Sequence, residues 1–285
     1  MPSTPASAPA PVSAPALALD LDEGLLAQVT AAVHAAGDRL RERYEPRAAA
    51  VRAATTDEIV AAIHANDDAV LDVLKAPLLA ARPQARWAED ELAGGALPPG
   101  EWWVVDPAEG NINHVHGMPD WAVTATLVRD NQPVLTVVHA PLTGDDYTAV
   151  AGGGARLNGV PLHVSAKTDL GAALTGTGQA RPGEDERTFR RIGSSVARML
   201  TAGLVVRVSV PATLQLIHVA AGRTDAFWQF SDVRSGLVAG ALLVAEAGGA
   251  VTDVHGAPWT LASPDFLAAA PGIHAAAVDV LSEVS

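Results

Sequence analysis

WWVVDPAEGNINHVHGMP, residues 102–119, is the stretch on which the reading of this chain turns. Trp102 to Val105 have strand composition and run straight into Asp106 and Pro107. Proline fixes the backbone just after the carboxylate, and Glu109, three positions after Asp106, can face the same ion. Gly110 allows a left-handed turn and lets backbone amides come close to an anion. Hard oxygen donors grouped in this way suit Mg2+ or a similar cation. Two acid runs lie upstream, Asp67–Asp68 and Glu89–Asp90–Glu91. Each of these, taken singly, reads first as solvated surface or a helix cap.

Working outward, Leu25, Val29, Ala32, Val33, Ala36 and Leu40 recur at helical spacing through Arg43. Residues 68–81 form a second apolar-periodic stretch in which Pro77 is expected to kink or stop the helix, while Asp57 to Asn66 fits helix or strand. Short strands are expected at Trp102–Val105, Ala122–Val128, Val134–His139, Tyr147–Val150 and Leu162–Val164. Asp130–Asn131 and Asn158–Gly159 are hairpin turn pairs. The second half reads as helices over Arg187–Leu200, Ala212–Ala221, Gly236–Ala247 and from His274. Strands are expected there at Leu204–Val210, Ala226–Phe230, Ala250–Val254 and Phe266–Ala270. Strands and helices mixed in two unequal halves indicate an α/β or α+β layered sandwich. The organisation expected is a disordered Pro/Ala-rich tail over residues 1–19, an N-terminal α+β half over 20–170 and a C-terminal α/β half over 171–285.

Composition narrows the function. The chain has 285 residues and a formal charge of −13, which argues against a nucleic-acid partner, since such binding relies on clustered Lys and Arg. Cysteine is absent, which excludes disulfides, thiolate nucleophiles and Cys-ligated metals. The Pro/Ala/Ser start lacks the basic region of a secretory signal, and no apolar stretch is long enough to span a bilayer. A soluble, cytoplasmic protein with no membrane partner is expected. Gly152–Gly154 lacks the Gly-Lys-Ser/Thr that completes a phosphate loop and reads as a hairpin turn.

Asp106-Pro107-Ala108-Glu109-Gly110-Asn111-Ile112-Asn113-His114 resembles the Asp-Pro-Ile/Leu-Asp-Gly-Thr-x-Asn-Phe motif of the inositol monophosphatase family of Mg2+-dependent sugar-phosphate phosphatases. The resemblance continues through His116, Pro119 and residues 122–128, 149–165, 219–227 and 242–261. It implies a five-layered αβαβα sandwich and a homodimer. It also implies metal ligands at Asp106, at the Ala108 carbonyl and at an acid of the upstream run, either Asp90 or Glu89, with Asp67 as the water-orienting aspartate. In the family, metal ions around the phosphate lower the pKa of a bound water for in-line attack.

Several positions depart from the family pattern. The second motif aspartate is Glu109, one methylene longer; the threonine is Asn111; and Asn66 stands where a threonine would precede Asp67. The Trp-Asp pair that supplies another ligand falls on Ser235-Gly236, with ungapped spacing from Asp225 and to Glu246. The substrate-receiving Gly-Ser/Thr pair becomes Val210-Pro211. Losing a carboxylate removes most of the preference for a second Mg2+, so one ion or none is expected. His114 replaces the motif's aromatic and, with His116 on one side of a strand, is a candidate base or ligand, or else a packing residue. Arg234 is a candidate cation for an anionic substrate, or a surface ion-pair partner, and Gly110 and Asn111 are candidate substrate contacts.

Three functions are consistent with these residues. One is an altered family enzyme acting on a small anionic, phosphorylated or polyhydroxylated metabolite, through residual hydrolysis or another step such as elimination or cyclisation in specialised biosynthesis. Another is a non-catalytic homologue that binds a ligand or partner. The third is a conventional Mg2+ phosphomonoesterase in which Glu109 and Asp232 restore the site.

Overall fold

The computed structural model describes residues 21, 23–46, 55–90 and 93–284; the expected tail, and Glu91 of the acid run, lie outside them. In chain order the elements are α1 (Glu23–Glu42), α2 (Thr56–Ala81), β1 (Arg86–Trp87), β2 (Glu101–Glu109), α3 (Asn111–Val115), β3 (Ala122–Arg129), β4 (Gln132–Ala140), β5 (Asp145–Val150), β6 (Gly154–Leu157) and β7 (Val160–Pro161). There follow β8 (Leu174–Thr177), α4 (Glu186–Ala202), β9 (Val205–Val208), α5 (Ala212–Ala220), β10 (Ala226–Gln229), α6 (Ser235–Glu246), β11 (Ala250–Thr252), β12 (Phe266–Ala269) and α7 (Pro271–Leu281).

Strands β1 to β7 form one sheet in sequence order, and the other five order as β11-β12-β10-β8-β9. Helices α1 and α2 cover the outer face of the first sheet, α5 and α6 fill the space between the sheets, and α4 and α7 close the far face of the second. This is the αβαβα sandwich, five layers deep. The reason for the layering is apolar surface: α6 is buried nearly all round, as a helix held between two sheets must be, whereas α1 buries one stripe, Leu25, Val29, Ala32, Val33, Ala36, Gly37 and Leu40.

Local chemistry accounts for several boundaries. Thr55 and Glu58 form a capping box, so α2 starts at Thr56 and residues 57–66 are helical. Pro77 does not stop α2, which continues to Ala81; Leu74 and Leu78, both buried, hold the turns on either side of it against the sheet. Asp130 (φ 48°) with Asn131 (φ 65°), and Asn158 (φ 50°) with Gly159 (φ 80°), are left-handed pairs closing two-residue hairpins. Leu162–Val164, expected as a strand, instead lie past the short β7 and are irregular, and the Val164 amide donates to the Ala247 carbonyl beyond α6.

The decisive irregularity is in β2. Its ladder with β3 runs from Glu101↔Arg129 to Asp106↔Thr124, then slips so that Glu109 pairs with Ala122. Three steps on β2 match two on β3, a β-bulge that re-aims the side chains of the Asp-Pro-Ala-Glu segment. The strand therefore carries the motif within it rather than ending at Val105.

Candidate active site

A cavity of about 500 Å³ opens where the bulge meets the first turns of α3, α5 and α6. Its wall includes Asp67 of α2, Asp106, Ala108 and Glu109 of β2, Gly110 and Asn111, Val210 and Pro211 before α5, Gln229 of β10 and Gly236 of α6. Gly110 is required where it stands: its φ is +81°, and a Cβ there would lie 2.6 Å from the Asp120 carbonyl oxygen.

The three departures Asn66, Asn111 and His114 form a single hydrogen-bonded network. Asn111 Nδ2 donates to the Ile63 carbonyl (2.9 Å) and to Asp67 Oδ1 (2.7 Å). Its Oδ1 accepts from Asn66 Nδ2 (2.8 Å), which also lies 3.1 Å from His114 Nδ1. Arg43 Nε donates to Asn66 Oδ1 (2.8 Å). Because an amide donates to Nδ1, His114 is the Nε2–H tautomer, and Nε2 donates to the Leu40 carbonyl (3.0 Å). Burial also holds its pKa below the ordinary value, so the ring is neutral. Burial pushes the Asp67 carboxyl up to about 6, against the lowering effect of the Asn111 amide, with Asp68 adding to the rise.

Glu109 shows what its extra methylene does. The side chain is buried, and Oε2 accepts from the Thr213 hydroxyl at 2.6 Å. A Cβ placed on Gly236 would lie 4.0 Å from that same oxygen. Glu109 thus lies beside the first turn of α6, where the positive end of the helix dipole favours a negative charge. Asp106 Oδ1 accepts from the Ala108 amide at 3.1 Å. Asp106, the Ala108 carbonyl and Glu109 are hard oxygen donors of the kind that Mg2+ takes.

Other expected site residues lie elsewhere. Glu89 is exposed and its carboxylate takes Lys75 Nζ at 3.0 Å on both oxygens. Asp90 is also exposed, and neither acid lines the cavity. His114 is not on a strand with His116 but in α3, 3% exposed, packed on Tyr44 and Trp121 and away from the cavity wall. Arg234 is 7% exposed at the start of α6, and its guanidinium donates to the carbonyls of Gly94 and Gly95, because a buried cation needs acceptors and that loop supplies two. It does not line the cavity. Asp232 likewise stands outside the wall.

Two features escaped the sequence reading. Thr213, the Glu109 partner, carries no local signal. Gln229 is the other: it lines the cavity, and its Oε1 is a buried acceptor with no hydrogen-bond partner. An orphaned acceptor there calls for a donor from whatever binds. Arg181, on the loop after β8, lines the mouth as the one cationic side chain of the wall among the described residues.

Five alternating layers with an oxygen-lined cavity at the end of β2 place this protein in the sugar-phosphate phosphatase fold class. The chain belongs to the inositol monophosphatase family, whose sequence pattern matches residues 20–284. The inositol-1-monophosphatase of Rhizobium meliloti is 38% identical over 159 residues, 54% of this chain and 57% of that protein. The chain therefore spans little more than half the length of that relative. The probable inositol 1-monophosphatase ImpA of Mycobacterium tuberculosis is 34% identical over 196 residues, 68% of this chain and 73% of that one. The solved inositol monophosphatase of Anabaena superposes with a TM-score of 0.75 at 27% identity, covering 92% of this chain and 96% of that structure. The family is in general Mg2+-dependent and acts on small phosphorylated substrates.

Proposed function

We propose that this protein is an altered inositol monophosphatase-family enzyme that takes a small phosphorylated or polyhydroxylated metabolite, with one Mg2+ at most and with two-metal hydrolysis impaired. The observation that carries this is the pairing of Gly236 with the displaced Glu109 carboxylate on Thr213. Asp106, the Ala108 carbonyl and Glu109 would hold the ion, which when bound supplies charge neutralisation at the phosphate. Asp67, titrating near 6 and using Oδ1 for Asn111, offers its other oxygen to take a proton from water or a substrate hydroxyl. Gln229 Oε1 accepts a substrate hydroxyl, and Arg181 at the mouth draws the anion in. Asn111 differs from a threonine hydroxyl here: both its amide hydrogens are already donated, so it orients Asp67 rather than a water.

Loss of one transition-state partner commonly lowers the rate by about 10²–10³, and two changes at the ion site compound. The reaction proposed is accordingly slow monoester hydrolysis or a non-hydrolytic step, elimination or cyclisation, on the same class of substrate. Homodimerisation and a cytoplasmic setting belong to the same proposal; exposed Leu200 on α4, Val205 and Val208 on β9, and Leu204 between them support a second copy. Among the described residues no helix is long and apolar enough to cross a membrane.

The test is phosphate release from inositol, sugar and nucleotide monophosphates with Mg2+, Mn2+ or chelator, run beside ligand-induced thermal shifts. Binding with slow or absent release supports the proposal. Fast metal-dependent turnover abolished by Asp106→Asn would restore the conventional phosphatase. A protein that neither turns over nor binds any of the panel would favour the non-catalytic homologue.

A further inference from the structure

On the outer face of the first sheet, away from the cavity wall, α1, β4 and β5 bring three side chains to one point. His34 of α1, His139 of β4 and Asp146 of β5 each offer a ligand atom within 4.8 Å of the others. His34 Nε2 sits 2.8 Å from both Asp146 oxygens, and His139 Nδ1 is 2.7 Å from Oδ1. The two imidazole centroids are 4.3 Å apart at 41°, so both rings converge on the carboxylate rather than stacking away from it.

Each element is shaped to make this meeting happen. His139 and Asp146 are directly opposed in the β4–β5 ladder, which brings their side chains out on one face. His34 and Gly37 are spaced i, i+3 on α1 and so share a face. A Cβ on Gly37 would lie 2.5 Å from His139 Cδ2 and 3.1 Å from Nε2, so the glycine is the notch into which the ring fits. Glycine inside a helix is less favourable than alanine, and here it stands in a buried position. Asn158 Oδ1 accepts from the Asp146 amide (2.8 Å) and Asn158 Nδ2 donates to Asp145 (3.2 Å), so the backbone carrying the carboxylate is itself fixed.

We propose that His34, His139 and Asp146 bind a divalent transition-metal ion, Zn2+ by donor chemistry, that ties α1 to β4 and β5. Two imidazoles and one carboxylate are the donor set of zinc and its neighbours rather than of Mg2+, which takes oxygen alone. Ligand atoms around a tetrahedral zinc stand about 3.3 Å apart, given bond lengths near 2.0–2.1 Å. The present 2.7–2.8 Å contacts therefore open by about half an ångström on binding. The rings exchange tautomers, His34 to Nδ1–H and His139 to Nε2–H, so that the ligating nitrogens are bare. The His34 side chain is 44% exposed, which gives the ion a way in and leaves its fourth position to water.

Chelator-stripped, full-length protein is titrated calorimetrically with Zn2+ in a non-coordinating buffer, and in parallel with Co2+, whose visible spectrum reports nitrogen and oxygen ligation. The expected result is one Zn2+ equivalent that Asp106→Asn retains and His34→Ala loses. Altered outer-shell partners already weaken metal sites about 10- to 100-fold, so loss of a ligand weakens binding at least that much. Zinc raises the thermal midpoint of the wild type and not of His34→Ala. His34 is half exposed, so that variant is expected to fold; Asp146→Asn, which keeps the shape and removes the charge, is the second variant, and far-UV circular dichroism checks both. Equal zinc affinity in wild type and either folded variant overturns the proposal. So does stability that falls in the variants by the same amount with and without zinc, since the triad would then be a hydrogen-bonded strut only.

Discussion

Gly236→Asp returns a carboxylate to the first turn of α6 at the place where this chain has none. The site has room: a Cβ at 236 meets nothing nearer than Ala212 Cβ at 3.9 Å and Glu109 Oε2 at 4.0 Å. Replacing glycine in a helix gains a few tenths of a kcal/mol for aspartate, and an acid in the first turn gains about 0.3–1 kcal/mol from the dipole. Against this stands Glu109. If the new carboxylate stands about 4 Å from that of Glu109, the two repel by about 4 kcal/mol at an effective dielectric near 20. The metal-free variant is therefore expected to be less stable than wild type by about 3 kcal/mol, which at about 2–4 °C per kcal/mol lowers Tm by about 6–12 °C. A cation bridging both acids reverses the sign. At a hundred times its Kd it contributes about 2.7 kcal/mol. Differential scanning fluorimetry in chelator and in excess Mg2+ or Mn2+ reads both effects, with Asp106→Asn in the same background removing the metal response. If Gly236→Asp and wild type respond equally to metal, the reading of Glu109 and Gly236 as the two halves of a weakened ion site is wrong.

The other expectations concern groups near the same cavity. The Asp67 carboxyl titrates near 6 in the fold against an ordinary 3.8, so between those values the folded chain keeps a proton that the unfolded chain has released. Stability relative to Asp67→Asn is accordingly highest below pH 4, falls as the pH rises to about 6 and is level above, as chemical denaturation across that range would show. His114→Phe removes the acceptor of Asn66 and the donor to Leu40, and is expected to cost about 1–3 kcal/mol while leaving ligand affinity within twofold, measured by denaturation and calorimetry. A large loss of affinity with stability intact would return His114 to the site. Thr213→Val takes the hydroxyl from Glu109 and should cost about 1.5–3 kcal/mol, part of it recovered by Mg2+. Gly37→Ala, a gain of about 1 kcal/mol in an open helix, is expected to destabilise here because its Cβ meets the His139 ring.

Much of the candidate site was legible because its chemistry is local. Asp106, Ala108, Glu109, Gly110 and Asn111 fall within six residues on a bulged strand and a helix start, and they reach the cavity together. Asp67 and Gly236 were placed by the family resemblance, and both line it. The residues that did not follow were those whose direction is set by distant partners. Arg234 is turned to the carbonyls of the 94–95 loop, Glu89 is taken by Lys75, and His114 is pulled inward by Asn66 and the backbone at Leu40. Pro77 reads as a helix stop in isolation, but the packing of Leu74 and Leu78 outweighs one missing hydrogen bond.

Most of the helices, strands β2 to β5, the layered class, the two left-handed hairpin turns and the family itself follow from the amino-acid sequence, because periodicity, turn chemistry and motif spacing are properties of neighbours along the chain. Only the tertiary structure decided that three scattered departures, Asn66, Asn111 and His114, are one network, and that Glu109 lies on Thr213 beside the first turn of α6. It alone brought His34 to Asp146 across 112 positions. Hydrogen bonds and ion ligation act over a few ångströms in space, and separation along a chain says nothing of that distance until the sheets have been stacked.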